Sequence, residues 1–122
     1  MDETGEPSKP DCKAVNEILG RIGDKWTIQV LVSLIRGPRR FNEVKRQVGG
    51  ISQQMLTRTL RQLERDGLAE RVVRPSRPPQ VEYALTPFGH SLSETVKPVA
   101  DWASMHQSKV ESNRVQYDAL ND

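Results

Sequence analysis

The sequence predicts a mainly α-helical fold with one small β-hairpin. Apolar residues recur at intervals of three and four residues in five segments, which is the spacing of amphipathic helices. Only two short segments, Leu68 to Arg74 and Val81 to Leu85, are typical of strands, and the second alternates apolar and polar residues. The proline-rich residues 75–80 would join them as a hairpin loop. The predicted order is therefore four helices, a hairpin and a fifth helix.

The first two helices are predicted from the residues at their ends. Asp11 is a typical N-cap residue, and the helix that it begins runs to about Ile22, before Gly23. The second helix runs from about Lys25 to Arg36, because Gly37-Pro38 prevents its continuation.

Two further helices, Phe41 to Val48 and Ser52 to Asp66, are separated by a Gly-Gly-Ile turn. Asn42 is the candidate cap of the first of these helices, and Ser52 caps the second. Leucines at positions 56, 60 and 63 form a stripe expected to be buried, while glutamine and arginine occupy the other faces. This spacing is typical of a helix-turn-helix, in which the second helix enters the DNA major groove.

The final helix is predicted to begin at Thr86-Pro87 and to carry an apolar stripe from Leu92 to Val110. Hydrophobic residues make up only 35% of the chain and aromatic residues 5%, so one copy has little core to cover this stripe. We predict that the stripe packs on the first helix and on a second subunit. We expect a disordered tail at residues 1–10, one domain over residues 11–115, and a frayed tail at residues 116–122.

The composition argues against several other classes of protein. The longest apolar run, Ile28 to Ile35, is too short to span a bilayer, and no signal-peptide pattern is present. The single cysteine, Cys12, excludes an intrachain disulfide, so we expect a cytoplasmic protein. Two histidines and one cysteine form no recognisable metal cluster, and no nucleophile–base pair or phosphate-binding loop is evident. We therefore expect no catalytic residues, no metal and no cofactor.

Positive charge is concentrated in the middle of the chain. Residues 36–77 contain eleven basic residues, ten of them arginine, against four acidic residues, a net charge of +7. The remaining residues carry a net charge of −5. Charge alone fits an ordinary solvated surface as well as it fits a nucleic-acid-binding protein.

A basic hairpin directly follows the helix-turn-helix. Arg71, Arg74 and Arg77 would make it a wing that reaches the phosphate backbone beside the groove. Together with the glycine turn and the amide side chains at the helix start, this hairpin predicts a winged helix-turn-helix that binds double-stranded DNA.

Six stretches of the sequence resemble the HxlR-type winged-helix regulators. They are Ile22-Gly-Asp-Lys-Trp26, Gly37-Pro-Arg-Arg-Phe-Asn-Glu43, Gly50-Ile-Ser-Gln-Gln-Met-Leu-Thr57, Leu63-Glu-Arg-Asp-Gly-Leu68, Pro78-Pro-Gln-Val-Glu-Tyr83 and Leu85-Thr-Pro-Phe-Gly89. They follow one another in order between about Cys12 and Trp102. The resemblance implies a homodimer built from N- and C-terminal dimerisation helices, and control of transcription, often of a neighbouring gene.

The resemblance also implies DNA-reading residues at the start of the fourth helix. Ser52 would lie at a phosphate, because a helix N-terminus favours an anion. The residues expected at base edges, where glutamine can read adenine and arginine can read guanine, are Gln53, Gln54, Thr57 and Arg58. The residues expected at phosphates are Arg39, Arg40, Arg61, Arg74 and Arg77. A two-fold dimer would then bind an inverted-repeat operator.

The sequence leaves alternatives open for the reactivity of Cys12 and for the function of the whole chain. In some members of this family a cysteine before the first helix senses oxidants or electrophiles, and the helix N-terminus and Lys13 beside Cys12 favour a reactive thiolate. The Asp11 carboxylate opposes that effect, and the family often has proline in place of Lys13, so an unreactive thiol is the alternative.

The alternatives for the whole chain are a winged-helix protein-interaction module with an acidic partner and a ligand-responsive regulator.

Overall fold

The computed structural model describes residues 11–121 and confirms a mainly helical fold with a small antiparallel sheet. Its elements in chain order are α1 (Cys12–Ile22), α2 (Lys25–Ser33), β1 (Arg39–Arg40), α3 (Phe41–Val48), α4 (Gln53–Arg65), β2 (Ala69–Arg74), β3 (Gln80–Leu85) and α5 (Pro87–Leu120). The helices and the hairpin follow the predicted order. The tail predicted at residues 1–10 lies outside the described residues.

Three predicted helix caps are confirmed by hydrogen bonds from the backbone to a side chain. Asp11 caps α1, Ser52 caps α4 and Thr86 caps α5, and each accepts a hydrogen bond from a backbone N–H of the first turn. These bonds satisfy donors that have no partner within the helix, so each helix begins at a residue whose side chain can accept them.

The start of α3 differs from the prediction. Arg40, and not Asn42, is the N-cap residue, and the Glu43 carboxylate accepts a hydrogen bond of 2.9 Å from the Arg40 backbone N–H. Arg40 belongs to β1 and has an extended backbone conformation, so the helix begins immediately after the strand and Asn42 lies inside it.

The end of α2 also differs, because the helix stops at Ser33 and residues 34–36 form a turn. The prediction that the helix reaches Arg36 is wrong. Arg39 donates a hydrogen bond of 2.9 Å from Nε to the Ser33 carbonyl. If the helix continued, this carbonyl would instead accept a hydrogen bond from the Gly37 N–H.

The sheet has three strands in the order β1-β3-β2. β2 and β3 form the predicted hairpin, with Ala69 opposite Leu85 at its base and Arg74 opposite Gln80 near its tip. β1, which was too short to be recognised in the sequence, pairs with β3 through Arg40 opposite Glu82. The edge of the hairpin is thereby tied to the start of α3.

The hydrophobic core lies between α2, α3, α4, the base of the hairpin and the first turns of α5. Its buried apolar residues are Val30, Leu31, Leu34, Val44, Ile51, Leu56, Leu60, Leu63, Leu68, Ala69, Leu85 and Val96. α1 contributes no buried residue, and after Val96 the described part of α5 contributes none. No helix within residues 11–121 is long and apolar enough to cross a membrane.

The start of α5 is joined tightly to the turn between α4 and β2. The Thr86 hydroxyl donates to the Gly67 carbonyl at 2.6 Å, and the Thr86 N–H donates to the Leu68 carbonyl at 3.1 Å. Gly89 packs so closely on this turn that a Cβ atom there would lie 1.8 Å from the Leu68 carbonyl oxygen. From this joint α5 runs on to Leu120, past residue 116, where the sequence predicted fraying.

Candidate nucleic-acid interface

α4 has two chemically different faces. Leu56, Leu60 and Leu63 are buried on one face and hold the helix on the core. On the opposite face the side chains of Gln53, Gln54, Arg58, Arg61 and Arg65 are exposed. The predicted buried stripe and the predicted polar face are therefore both present on this helix.

A shallow depression follows the exposed face of α4. Its lining residues are Gln53, Gln54, Thr57, Arg58, Arg61, Gln62 and Arg65. The structure thus brings the predicted base-reading residues together with Arg61, and Ser52 caps the same end of the helix. The Thr57 hydroxyl donates its proton to the Gln53 carbonyl at 2.9 Å, which leaves its oxygen and its methyl group for outside contacts.

Gln62 and Arg65 belong to this surface but were not among the predicted site residues. Their positions could have been inferred from helical spacing, because Arg65 follows Arg61 by four residues and Arg58 by seven. The exposed face of α4 is therefore longer than the sequence analysis proposed, and extends to the C-terminal end of the helix.

The hairpin carries two of the predicted phosphate contacts in different environments. Arg77 is exposed in the loop between β2 and β3. Arg74 lies near the tip of β2, where its guanidinium forms an ion pair and hydrogen bond with the Glu82 carboxylate of β3. Glu82, which is not among the predicted site residues, holds Arg74 against the strand.

The two arginines of β1 differ from each other. Arg39 is half-buried, and its Nε bond to the Ser33 carbonyl ties β1 to the end of α2. Arg40 is exposed, and its Nη2 donates to the Gln80 side-chain oxygen across the sheet. Arg40, Gln80, Glu82 and Arg74 share one face of the sheet, because opposite residues of antiparallel strands point to the same side.

The arginines of α4 are not neutralised by the acidic residues of the described chain. The salt bridges found within residues 11–121 join Arg21 to Asp66, Arg74 to Glu82 and Lys97 to Asp101. None of these pairs includes an arginine of α4. The exposed face of this helix therefore presents uncompensated positive charge beside amide side chains, as a surface that binds a polyanion does.

Cys12 lies at the first position of α1 and is exposed. Val15 and Leu19 follow it by three and seven residues, so the thiol and these two exposed apolar side chains share one face of the helix. Over residues 11–121, no three histidine, cysteine, aspartate or glutamate side chains come together as a metal site.

Known proteins resemble this chain over most of its length. The HxlR-like helix-turn-helix family model matches residues 21–111. The HTH-type transcriptional regulator YtfH of Escherichia coli is 40% identical over 94 residues, which are 77% of this chain and 75% of that protein.

Solved structures agree with these matches. The structure of the transcriptional regulator YtfH from Salmonella typhimurium is 39% identical, with a TM-score of 0.75 over 82% of this chain and 89% of that one. The redox regulator HypR in its reduced form is 40% identical, with a TM-score of 0.71 over 81% of this chain and 98% of that one. These relatives are regulators of transcription and not enzymes. The chain thus belongs to the HxlR-like helix-turn-helix family and is a winged-helix transcriptional regulator.

Proposed function

We propose that this regulator binds double-stranded DNA through α4 and the hairpin, as a homodimer on an inverted-repeat operator. The observation that carries the proposal is the exposed face of α4, where glutamine and arginine side chains stand opposite a fully buried leucine stripe. A helix fixed in this way can enter the major groove with its polar face toward the bases. As a regulator of transcription it would act in the cytoplasm, where the DNA of a cell without a nucleus lies.

The residues of the site would divide into those that read bases and those that position the protein. Gln53, Gln54, Thr57 and Arg58 lie in the first two turns of α4 and would read base edges. Ser52, Arg61 and the arginines of the sheet and the wing (Arg40, Arg74 and Arg77) would contact phosphates, which fix the register of the complex without specifying sequence. Arg39, whose Nε is bonded within the fold, would reach a phosphate only with its remaining donors.

The homodimer is supported by apolar side chains that one copy leaves exposed. On α1 these side chains are Val15, Ile18 and Leu19. On the second half of α5 they are Val99, Trp102, Met105, Val115, Tyr117 and Leu120. Exposed large apolar side chains also occur on the hairpin, at Val73 and Val81, but most of them lie on these two helices, and apolar surface of this extent is typical of an interface. A two-fold arrangement through α1 and α5 would place the two α4 helices about 34 Å apart, one turn of DNA.

Footprinting on DNA upstream of the chain's own gene and its neighbours tests this function. We expect two protected half-sites in inverted orientation, with centres about 10 base pairs apart or a multiple of that spacing. The logarithm of the affinity should fall with the logarithm of salt concentration by about 0.9 per phosphate neutralised. A DNA affinity that does not change with salt concentration would contradict the proposal. If the chain binds an acidic protein but does not bind DNA, the protein-interaction alternative is favoured.

We further propose that oxidation of Cys12 changes DNA binding. The thiol is exposed and shares a face of α1 with Val15 and Leu19, so a modification there would lie in the proposed dimer interface. HypR, a redox regulator by name, has the same fold at 40% identity. The test is operator binding titrated with diamide, which is reduced to its hydrazine as it oxidises two thiols to a disulfide, here Cys12 of two subunits or Cys12 and an added small thiol, for the natural chain and for Cys12→Ser. Loss of the response in Cys12→Ser is expected, and unchanged binding by a chain whose Cys12 is fully modified would reject the switch.

A further inference from the structure

Thr57 is shorter than every other residue that lines the depression on α4. Its side chain is half-buried, whereas Gln53 and Arg61, which lie one turn before and one turn after it, are long and exposed. Residues four apart lie on the same side of a helix, so Thr57 lies at the floor of the depression between these two side chains. A small group that protrudes from a binding partner can enter there.

The hydroxyl group of Thr57 is already used within the helix. Its Oγ1 donates to the Gln53 carbonyl at 2.9 Å, which is the bond that a threonine can make to the residue four positions earlier. The oxygen must lie against the preceding turn to make this bond, and the methyl group takes another staggered position on Cβ. Thr57 therefore turns its oxygen toward its own backbone and has a methyl group left for a partner.

The rest of the lining ends in polar groups. These amide and guanidinium groups belong to Gln53, Gln54, Arg58, Arg61, Gln62 and Arg65. Every base presents hydrogen-bonding groups in the major groove, but thymine alone among the four adds a methyl group, at C5, which projects from the base edge. The thymine methyl group is thus the part of DNA that fits an apolar group at the floor of an otherwise polar depression.

We infer that Thr57 selects a thymine in each half-site of the operator through contact between its Cγ2 methyl group and the C5-methyl group of the base. The contact removes both methyl groups from water and needs no hydrogen bond from Thr57. This inference rests on the proposed function, because it requires α4 to lie in the major groove. It assigns to Thr57 one base and one chemical group of that base.

A hydrogen bond from a base to Thr57 is the competing chemistry. With its proton on the Gln53 carbonyl, Oγ1 can act toward DNA only as an acceptor. The donors in the major groove are the amino groups of adenine and cytosine. Removal of the methyl group from a thymine therefore weakens the contact that we infer and leaves the competing one unchanged.

The test replaces thymine in the operator with deoxyuridine, which differs only in lacking the C5-methyl group. Each thymine position of the footprinted half-site is changed in turn, in both half-sites together, and binding of the full natural chain is measured by fluorescence anisotropy. Since burial of one methyl group is equivalent to about a fourfold change in affinity, the Kd should rise about sixteenfold at one position. The other positions should change less.

Two variants connect the sensitive position to Thr57. Thr57→Ser keeps the hydroxyl group but lacks the methyl group, so it should no longer distinguish thymine from deoxyuridine there. Thr57→Val keeps a methyl group and lacks the hydroxyl group, so it should retain the distinction. Thr95→Ser is the matched control, because the exposed Thr95 of α5 makes the same bond to the Ser91 carbonyl, at 3.0 Å. This variant should change neither the Kd nor the distinction.

The outcomes separate the inference from the proposed function. If Thr57→Ser retains the preference for thymine and Thr57→Val loses it, the hydroxyl group reads the base and the inference is wrong. An operator in which no thymine responds to loss of its methyl group also overturns the inference, while its footprint upholds the proposed function. A chain that leaves no footprint on any DNA rejects the proposed function and the inference together. The deoxyuridine series needs no variant, so a variant that does not fold leaves this test intact.

Discussion

α4 and the second half of α5 have the same apolar periodicity but bury it to different extents. The leucine stripe of α4 is at most 1% exposed, whereas Val99 and Trp102 of α5 are 57% and 56% exposed. Helical spacing identifies an apolar face in both helices, but it does not say what covers that face. One copy of the chain covers the stripe of α4 but leaves the stripe of α5 exposed, which is why we propose that a second copy covers it.

The joint between these two regions should be the most sensitive point of the fold. In Gly89→Ala, the new Cβ would lie 1.8 Å from the Leu68 carbonyl oxygen and 2.8 Å from its carbon, and both are backbone atoms. We expect the free energy of unfolding to fall by more than about 4 kcal/mol, at the upper end of single-substitution effects. Urea denaturation followed by circular dichroism measures this change.

Gly20→Ala is the matched control for this variant. Gly20 lies within α1, and no atom outside its local helix would come within 4 Å of the added Cβ. Alanine there should raise the free energy of unfolding by up to about 1 kcal/mol, because glycine is a poor helix former. If Gly89→Ala and Gly20→Ala have the same urea midpoint, α5 is not fixed to the turn as described.

The second prediction distinguishes the two stripes by which measurement each substitution changes, the stability of one copy or the concentration-dependent association of two. Leu60→Ala removes buried contacts within one copy and should cost about 2–5 kcal/mol of unfolding free energy in the monomer. Val99→Asp places a charge on the exposed stripe, so it should raise the dimer dissociation constant about a hundredfold, equivalent to about 2.7 kcal/mol. Sedimentation and denaturation over a range of concentrations measure both effects.

A matched substitution on α5 provides the control. Ser108→Asp introduces the same carboxylate, with the same change of charge, at an exposed polar position of the same helix and should change dimerisation less than Val99→Asp does. If Val99→Asp leaves the molecular mass at micromolar concentration unchanged, the exposed stripe of α5 is not the dimer interface.

These differences also show which parts of the structure local sequence can predict. Asp11, Ser52 and Thr86 were identified as caps because an N-cap bonds within its own helical turn. β1 was not recognised, since a two-residue strand depends on a partner such as Tyr83, 44 residues away from Arg39 along the chain. The predicted end of α2 is too late, and the Ser33 carbonyl at its actual end accepts from Arg39, a contact that helical spacing does not reveal.

In the candidate site, too, the features that depend on neighbouring residues could be predicted, and those that depend on distant residues could not. The start of α4 could be located from its turn, its cap and its side-chain chemistry, all of which are local. The ion pair between Arg74 and Glu82 depends on the register of β2 against β3, which sequence spacing across a proline-rich loop does not determine. For that reason the sequence predicts Arg74 as a phosphate contact but does not predict that Glu82 pairs with it.

The third prediction compares an exposed arginine of α4 with one in the hairpin loop. Arg58→Ala should cost about 1–3 kcal/mol on the operator and reduce discrimination at one base pair, because the guanidinium would read a base edge. Arg77→Ala should weaken binding to all DNA sequences about equally, as loss of a phosphate contact does. Fluorescence anisotropy with operator and random duplexes measures both variants.

Arg114→Ala, an exposed arginine of α5 outside the proposed interface with DNA, is the control and should change neither affinity. If Arg58→Ala lowers affinity for operator and random DNA by the same factor, α4 contacts the backbone only, and the assignment of base-reading residues is wrong.

The smallest effect is expected at the wing, where Glu82 competes with DNA for Arg74. Glu82→Gln keeps a side-chain oxygen that can accept from Arg74 but removes the negative charge. Since Arg74 is largely exposed, although Glu82 is partly buried, we expect affinity for any duplex to rise only about twofold to fivefold, with a larger gain at low salt. Glu94→Gln makes the same charge change on α5, away from the wing, and should have less effect. A loss of affinity in Glu82→Gln would instead mean that the carboxylate positions Arg74 for its phosphate, so that the ion pair assists binding.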